Sequence, residues 1–233
     1  MIGCKYLFFA WEKVYSMNCM EPEMSLKTRI LISVIALIGI GHVVARYAGT
    51  DKDTAWIYVC LFYAGWIFAS LFLLLKKQDV QELLGSIRNG QWGLVGIPFV
   101  FVAFYYVFIP NRELLKWDYW LILHLIICLV NPFMEELYWR GLVSKFGSRP
   151  VYSYLFSTIA FAASHPLILG VNSPGVAGWI GFTGTFLVGS MLWLVFFKTR
   201  SLWLCVLIHF LIDFFGVAAY TLADKAELMK LPF

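Results

Sequence analysis

Stretches of about twenty mostly apolar residues follow one another along the chain, at roughly 30–48, 55–75, 93–110, 119–146, 151–170, 179–197 and 201–222. A helix needs about 20 such residues to cross about 30 Å of hydrocarbon. Inside lipid its backbone polar groups must be satisfied within the segment itself. The pattern therefore predicts an all-α fold, a polytopic transmembrane bundle of about seven or eight helices. Short polar separators stand between the runs, among them Lys76-Lys77-Gln78-Asp79, Asn111-Arg112-Glu113 and Lys198-Thr199-Arg200. Composition agrees, with 61% hydrophobic and 14% charged residues, against about 25% charged in soluble domains. Such a chain cannot cover a soluble globule with polar groups, which excludes a small soluble enzyme and a disordered regulator. The net charge of +4 is spread over short loops, so no nucleic-acid partner is expected.

The five cysteines (Cys4, Cys19, Cys60, Cys128 and Cys205) are scattered, with no CxxC pair. They read as reduced packing residues, not as a disulfide frame or a thiolate metal site. Neither an internal repeat nor a long linker divides residues 24–233, which are expected to form one transmembrane domain with its motifs in a core over 119–216. Residues 1–23 form an N-terminal extension. Its apolar run Tyr6–Trp11 is followed by Glu12-Lys13 with no small-residue cleavage site, so an interfacial helix is expected there instead of a signal peptide. The segment from Met24 also has the character of a translation start. With seven spans, 11 Lys and Arg residues fall on the side of the N-terminus and 6 on the other, Arg140 being left out as intramembrane. That bias places the N-terminus in the cytoplasm.

Ionisable residues inside apolar spans cost about 2.5–3.5 kcal/mol each on insertion scales and call for a partner or a function. They are concentrated in the last four spans: Glu135, Glu136, Arg140, His165, His209 and Asp213, with His124 a weaker case. Asn131-Pro132 predicts a break, with a fresh half-helix beginning at the proline. Glu136 and Arg140, four apart, share a face and can pair, whereas Glu135 is turned about 100° away. Phe161 and His165 stand one turn apart, and so do His209 and Asp213. Counted from their predicted cytoplasmic ends, Glu135, His165 and His209 lie about 12–21 Å deep at about 1.5 Å per residue. Three separate helices thus bring polar side chains to a common depth.

Glu135-Glu136-x-x-x-Arg140, Phe161-x-x-x-His165 and His209-x-x-x-Asp213, in that order, resemble the three motifs of the CPBP family. That family includes type II CAAX prenyl endopeptidases and bacterial bacteriocin-processing or self-immunity proteins. The resemblance covers roughly residues 119–216, and Asp213 stands where Asn is frequent. It implies an intramembrane endopeptidase with a cavity open to the cytoplasmic side, in which Glu135 with His165 activates a water. His209 and residue 213 would stabilise the oxyanion. An ionised Asp cannot donate a hydrogen bond, so Asp213 is expected to orient His209 instead. Glu136, Arg140 and Phe161 are expected to support these groups. No cofactor is expected, with zinc on Glu135, His165 and His209 as the alternative; HExxH is absent. The expected partners are membrane lipid and a protein or peptide substrate cleaved close to the membrane. The expected location is a bacterial inner membrane, as a multi-pass protein. A non-enzymatic immunity protein or proton-coupled transporter is the rival from another class. A relay would string titratable groups across the membrane around an inverted repeat, whereas these residues share one depth.

Overall fold

A computed structural model of the chain describes residues 24–48, 52–112, 119–173 and 176–222, and all secondary structure among them is helical. The N-terminal extension lies outside the described residues, as do Cys4 and Cys19. Helix α1 (Leu26–Tyr47) starts at Ser25, whose Oγ accepts from the Thr28 N–H at 3.2 Å and so satisfies one orphan donor of the first turn. Helix α2 (Lys52–Leu74) returns beside α1, and the short α3 (Lys77–Leu83) follows. The third apolar run is a composite: a 3₁₀ segment Gly90–Gly96, then α4 (Ile97–Val102), a π-helical turn Ala103–Phe108 and a last turn Ile109–Asn111.

Helix α5 (Tyr119–Glu136) runs straight into a second π-helical turn, Leu137–Leu142, and a 3₁₀ turn, Val143–Phe146. Helices α6 (Pro150–Leu167), α7 (Gly178–Thr199) and α8 (Trp203–Leu222) complete the bundle. Pro150 occupies the start of α6, where a missing N–H has no consequence.

The expected break at Asn131-Pro132 does not occur, because α5 is continuous through Pro132. Proline is tolerated inside buried membrane helices because the surrounding helices and local changes of helical pitch compensate for the missing bond. The departure from α geometry comes five residues later, immediately after Glu136.

Five helical stretches among the described residues are long and apolar enough to cross a membrane: Leu26–Tyr47, Ile57–Leu74, Gly90–Phe108, Pro150–Val171 and Gly178–Thr199. They correspond to five of the seven expected runs. The other two are α5 and α8, the helices that carry the glutamates, His209 and Asp213. Lipid-facing positions carry exposed Ile35, Leu61, Phe68, Leu129 and Ile180, which in hydrocarbon cost nothing.

Helix association in lipid relies on close packing and small residues, since the tails are as apolar as leucine. The main core joins α1, α2, α6 and the turn Leu137–Leu142 through Ile30, Leu37, Ile67, Trp139, Leu142 and Phe161. A second core joins α7 and α8 through Leu192, Val195, Cys205 and Ile208. At Gly96 an added Cβ would lie 2.7 Å from Ile208 Cδ1, so only glycine lets the third run approach α8 so closely. Cys60, Cys128 and Cys205 form no disulfide, the last two are buried, and Cys205 Sγ donates to the Leu192 carbonyl at 3.3 Å.

Candidate active site

The end of α5 and its π-helical turn are sequestered almost completely. Glu135 is 1% exposed, Glu136 0% and Arg140 1%, and His209 on the facing α8 is 3% exposed. Four ionisable groups cannot be buried together unless each finds partners. Arg140 Nη1 donates to Glu136 Oε1 at 3.0 Å, and Nη2 donates to the Gly189 carbonyl of α7 at 3.2 Å. The guanidinium also stands over the Phe161 ring, 4.4 Å from its centroid, a cation–π contact that desolvation strengthens. Gly189 makes this approach possible, since a Cβ there would come 2.9 Å from Phe161 Cδ1.

His209 crosses from α8 to the same carboxylate. Its Nδ1 is 2.8 Å from Glu136 Oε1, an N–H donor to a carboxylate that fixes the ring's orientation. The other nitrogen, Nε2, lies 3.5 Å from Glu135 Oε2 and 3.6 Å from Asp213 Oδ1. The carboxylate hydrogen-bonded to the ring is therefore Glu136, and Asp213 stands beside the opposite nitrogen, beyond hydrogen-bonding distance. In a hydrolase triad the orienting carboxylate binds Nδ1, which is the place of Glu136 here. This departs from the expectation that Asp213 would orient the ring. The cause is reach: Glu136 comes from a neighbouring helix and meets Nδ1 directly. Asp213, four residues along the same helix as His209, meets the far edge of the imidazole.

Glu135 points away from the Glu136–Arg140 pair, as its angular position predicts. Tyr63 Oη of α2 donates to its Oε1 at 2.5 Å, and Trp139 Nε1 donates to Tyr63 Oη at 3.3 Å. His165 is half-buried on α6. Its Nδ1 lies 3.0 Å from the Phe161 carbonyl one turn back. A backbone carbonyl can only accept, so Nδ1 carries the hydrogen and Nε2 is left as the acceptor nitrogen. The Phe161 ring packs edge-on against both histidines, with centroids 4.6 Å from His165 and 6.0 Å from His209. Phe161 thus spaces the two imidazoles while covering Arg140.

The sequence-derived residues therefore converge: Glu135, Glu136, Arg140, His209 and Asp213 through polar contacts, and His165 through Phe161. The side chain of His124 lies outside the described residues. Tyr63, Trp139 and the Gly189 carbonyl escaped the sequence reading. Tyr63 sits in Cys60-Leu61-Phe62-Tyr63-Ala64, a run with no polar pattern to single it out. Among the described residues, no group of three or more His, Cys, Asp or Glu side chains is arranged to hold a metal ion. The zinc alternative needs Glu135, His165 and His209 together. As they stand, Tyr63 binds one oxygen of Glu135 and the Nδ1 atoms of the two histidines are bonded to Phe161 and Glu136, which leaves Glu135 Oε2 and both Nε2 atoms as the positions a metal would take.

Comparison with curated proteins and with solved structures gave no match. A family model described as type II CAAX prenyl endopeptidase Rce1-like matches residues 116–215. That segment contains all three motifs and every polar residue of the cluster except Tyr63. Over this motif-bearing segment the chain is similar to the Rce1-like family of type II CAAX prenyl endopeptidases.

Proposed function

We propose that this membrane endopeptidase hydrolyses a peptide bond with a water activated by Glu135 and His165, without a metal. The observation that carries the reading is the division of labour between two adjacent glutamates. Glu136 is bound by both Arg140 and His209, as a structural carboxylate would be. Glu135 keeps Oε2 directed at the space beside His209 Nε2. A carboxylate in a low-dielectric site is suited to general-base work, and His165 Nε2 supplies a second acceptor for the water. The water's oxygen attacks the carbonyl carbon while Glu135 takes one of its protons. The same proton then passes to the departing amine as the C–N bond breaks. His209 Nε2 supports the developing oxyanion, held for this by Glu136 at Nδ1, with Asp213 beside it. The positive-inside bias of the sequence supports a cytoplasmic position for the 145–150 and 198–200 loops and, with them, for the access to the site.

The rival transporter reading predicts polar residues distributed along a path. Here they are gathered in one knot between α2, α5, α7 and α8, which favours hydrolysis. The test is cleavage of a quenched fluorescent peptide ending in a prenylated CAAX sequence, the substrate that the family description names. Glu135→Gln is expected to lower kcat by about 10²- to 10⁴-fold while the protein stays folded in detergent. Unchanged cleavage by that variant, or none by the wild type, would overturn the reading. Prolonged chelation is expected to leave the wild-type rate intact. Loss of activity that returns with added zinc would establish the Lewis-acid alternative.

A further inference from the structure

Tyr63 belongs to α2, outside the segment that matches the family, and it is 3% exposed. Its hydroxyl lies between two groups of opposite hydrogen-bonding character. The indole N–H of Trp139, 3.3 Å away, can only donate, and an ionised Glu135 Oε1, 2.5 Å away, can only accept. A phenol has a single hydrogen. Since its oxygen accepts from Trp139, that hydrogen is directed at Glu135. Trp139 is itself held, edge-on to Tyr138 with centroids 4.8 Å apart and to Phe161 at 5.8 Å. The chain Trp139–Tyr63–Glu135 is therefore a fixed array with one direction of donation.

This array makes the two oxygens of Glu135 unequal. Oε1 is tied to α2, whereas Oε2 faces His209 Nε2. We infer that Tyr63 is a positioning residue of the active site: by holding Oε1 it orients the carboxylate so that Oε2 is the oxygen that handles the proton of the attacking water. The inference rests on the assignment of Glu135 as the base. Its consequence is that the catalytic centre is completed by the N-terminal half of the molecule. A protein cut down to the motif-bearing segment would keep all three motifs and lose this control.

The test uses the full-length protein and the same prenylated peptide. Tyr63→Phe keeps the ring and removes only the hydroxyl. A hydrogen bond to a charged group governs a rate effect of about 10- to 100-fold, so kcat is expected to fall by that factor with KM unchanged within about 2-fold. A purely structural role would instead lower thermal stability or raise KM while the turnover of folded enzyme stayed at the wild-type value. Should Tyr63→Phe fail to accumulate, a fluorinated tyrosine at position 63 preserves the shape and alters only the acidity of the donor. It is then expected to change kcat by about 2-fold or more at constant KM. An inactive Glu135→Gln alongside wild-type kcat in Tyr63→Phe, or in the fluorinated protein, overturns this inference alone. An active Glu135→Gln overturns the base assignment and this inference together.

Discussion

The described residues contain two π-helical turns of equal length, Ala103–Phe108 and Leu137–Leu142, and they differ in almost everything else. In the first only Ala103 is buried, and Tyr105 and Tyr106 are exposed. Its aromatic rings stack along their own face, Phe104 on Phe108 at 5.8 Å, and Phe104 meets Phe215 of α8 at 5.0 Å. In the second every residue is buried and Arg140 is at the centre. Both turns are wider than an α-helical turn, closed by i→i+5 bonds. The first packs on α8 at its apolar pair Phe214-Phe215, whereas the second packs against α2, α3 and α6 and directly follows Glu136, which meets His209 of α8. A π-turn is thus not a site by virtue of its geometry. What distinguishes the second is burial of charge, which demands a defined set of partners and makes the local arrangement intolerant of change.

That contrast can be broken most directly at the buried pair. Removing one member of a buried ion pair leaves the other uncompensated, at a cost of about 3–5 kcal/mol. Glu136→Gln and Arg140→Ala are expected to lose about that much stability, measured by thermal unfolding in detergent. The matching substitution in the exposed turn, Tyr105→Leu, is expected to change stability by no more than about 0.5 kcal/mol. Equal losses in the two turns would show that the π geometry, and not the buried charge, sets the sensitivity.

A smaller effect is expected at Gly189, which lets α7 reach Arg140. The added methyl of Gly189→Ala would press on Phe161 Cδ1 at 2.9 Å, an overpacking that costs about 1–3 kcal/mol. Because Phe161 separates His165 from His209, activity is expected to fall together with stability. Gly184, where an added Cβ meets nothing within 4 Å, is the control: Gly184→Ala is expected to leave both unchanged. If the two alanine variants behave alike, the close approach of α7 is not what holds the second turn in place.

The bundle was legible because apolar runs and polar separators carry a strong signal, and so was the polar knot, because each charge in a span is conspicuous. Pro132 was misread because a proline rule derived from soluble helices ignores the support of neighbouring helices. The π-turn after Glu136 has no marker in Leu137-Tyr138-Trp139-Arg140. The contact of Glu136 with His209 Nδ1 was missed because helical periodicity gives angles within one helix, whereas this contact is between helices. Tyr63 was invisible for the same reason: a tyrosine in an apolar span gives no sign of what faces it.

The smallest expected effect tests the exposed end of the second turn. Lys145, in the 3₁₀ turn that follows it, pairs with Asp79 of α3 at 2.5 Å. Partial burial of Asp79 opposes its charge, but the Lys145 ammonium and the Lys76 backbone N–H outweigh it and hold the carboxyl below its ordinary range. A carboxyl depressed in the folded state contributes stability that is complete above its unfolded pKa, about 3.9. That contribution is lost as the pH falls through the folded value. Both side chains are partly solvated, so the pair is worth no more than about 1 kcal/mol. Asp79→Asn is therefore expected to lower stability slightly at neutral pH, and the difference from wild type is expected to start shrinking below about pH 4 and to vanish only below the depressed folded pKa. In 1 M salt it should shrink as well, because the screening length there is about 3 Å. The Glu136–Arg140 pair, shielded from solvent, should show no such salt dependence. A salt-insensitive loss in Asp79→Asn would mean that the outer end of this turn is held like its interior, and the contrast between buried and solvated charge would not extend along it.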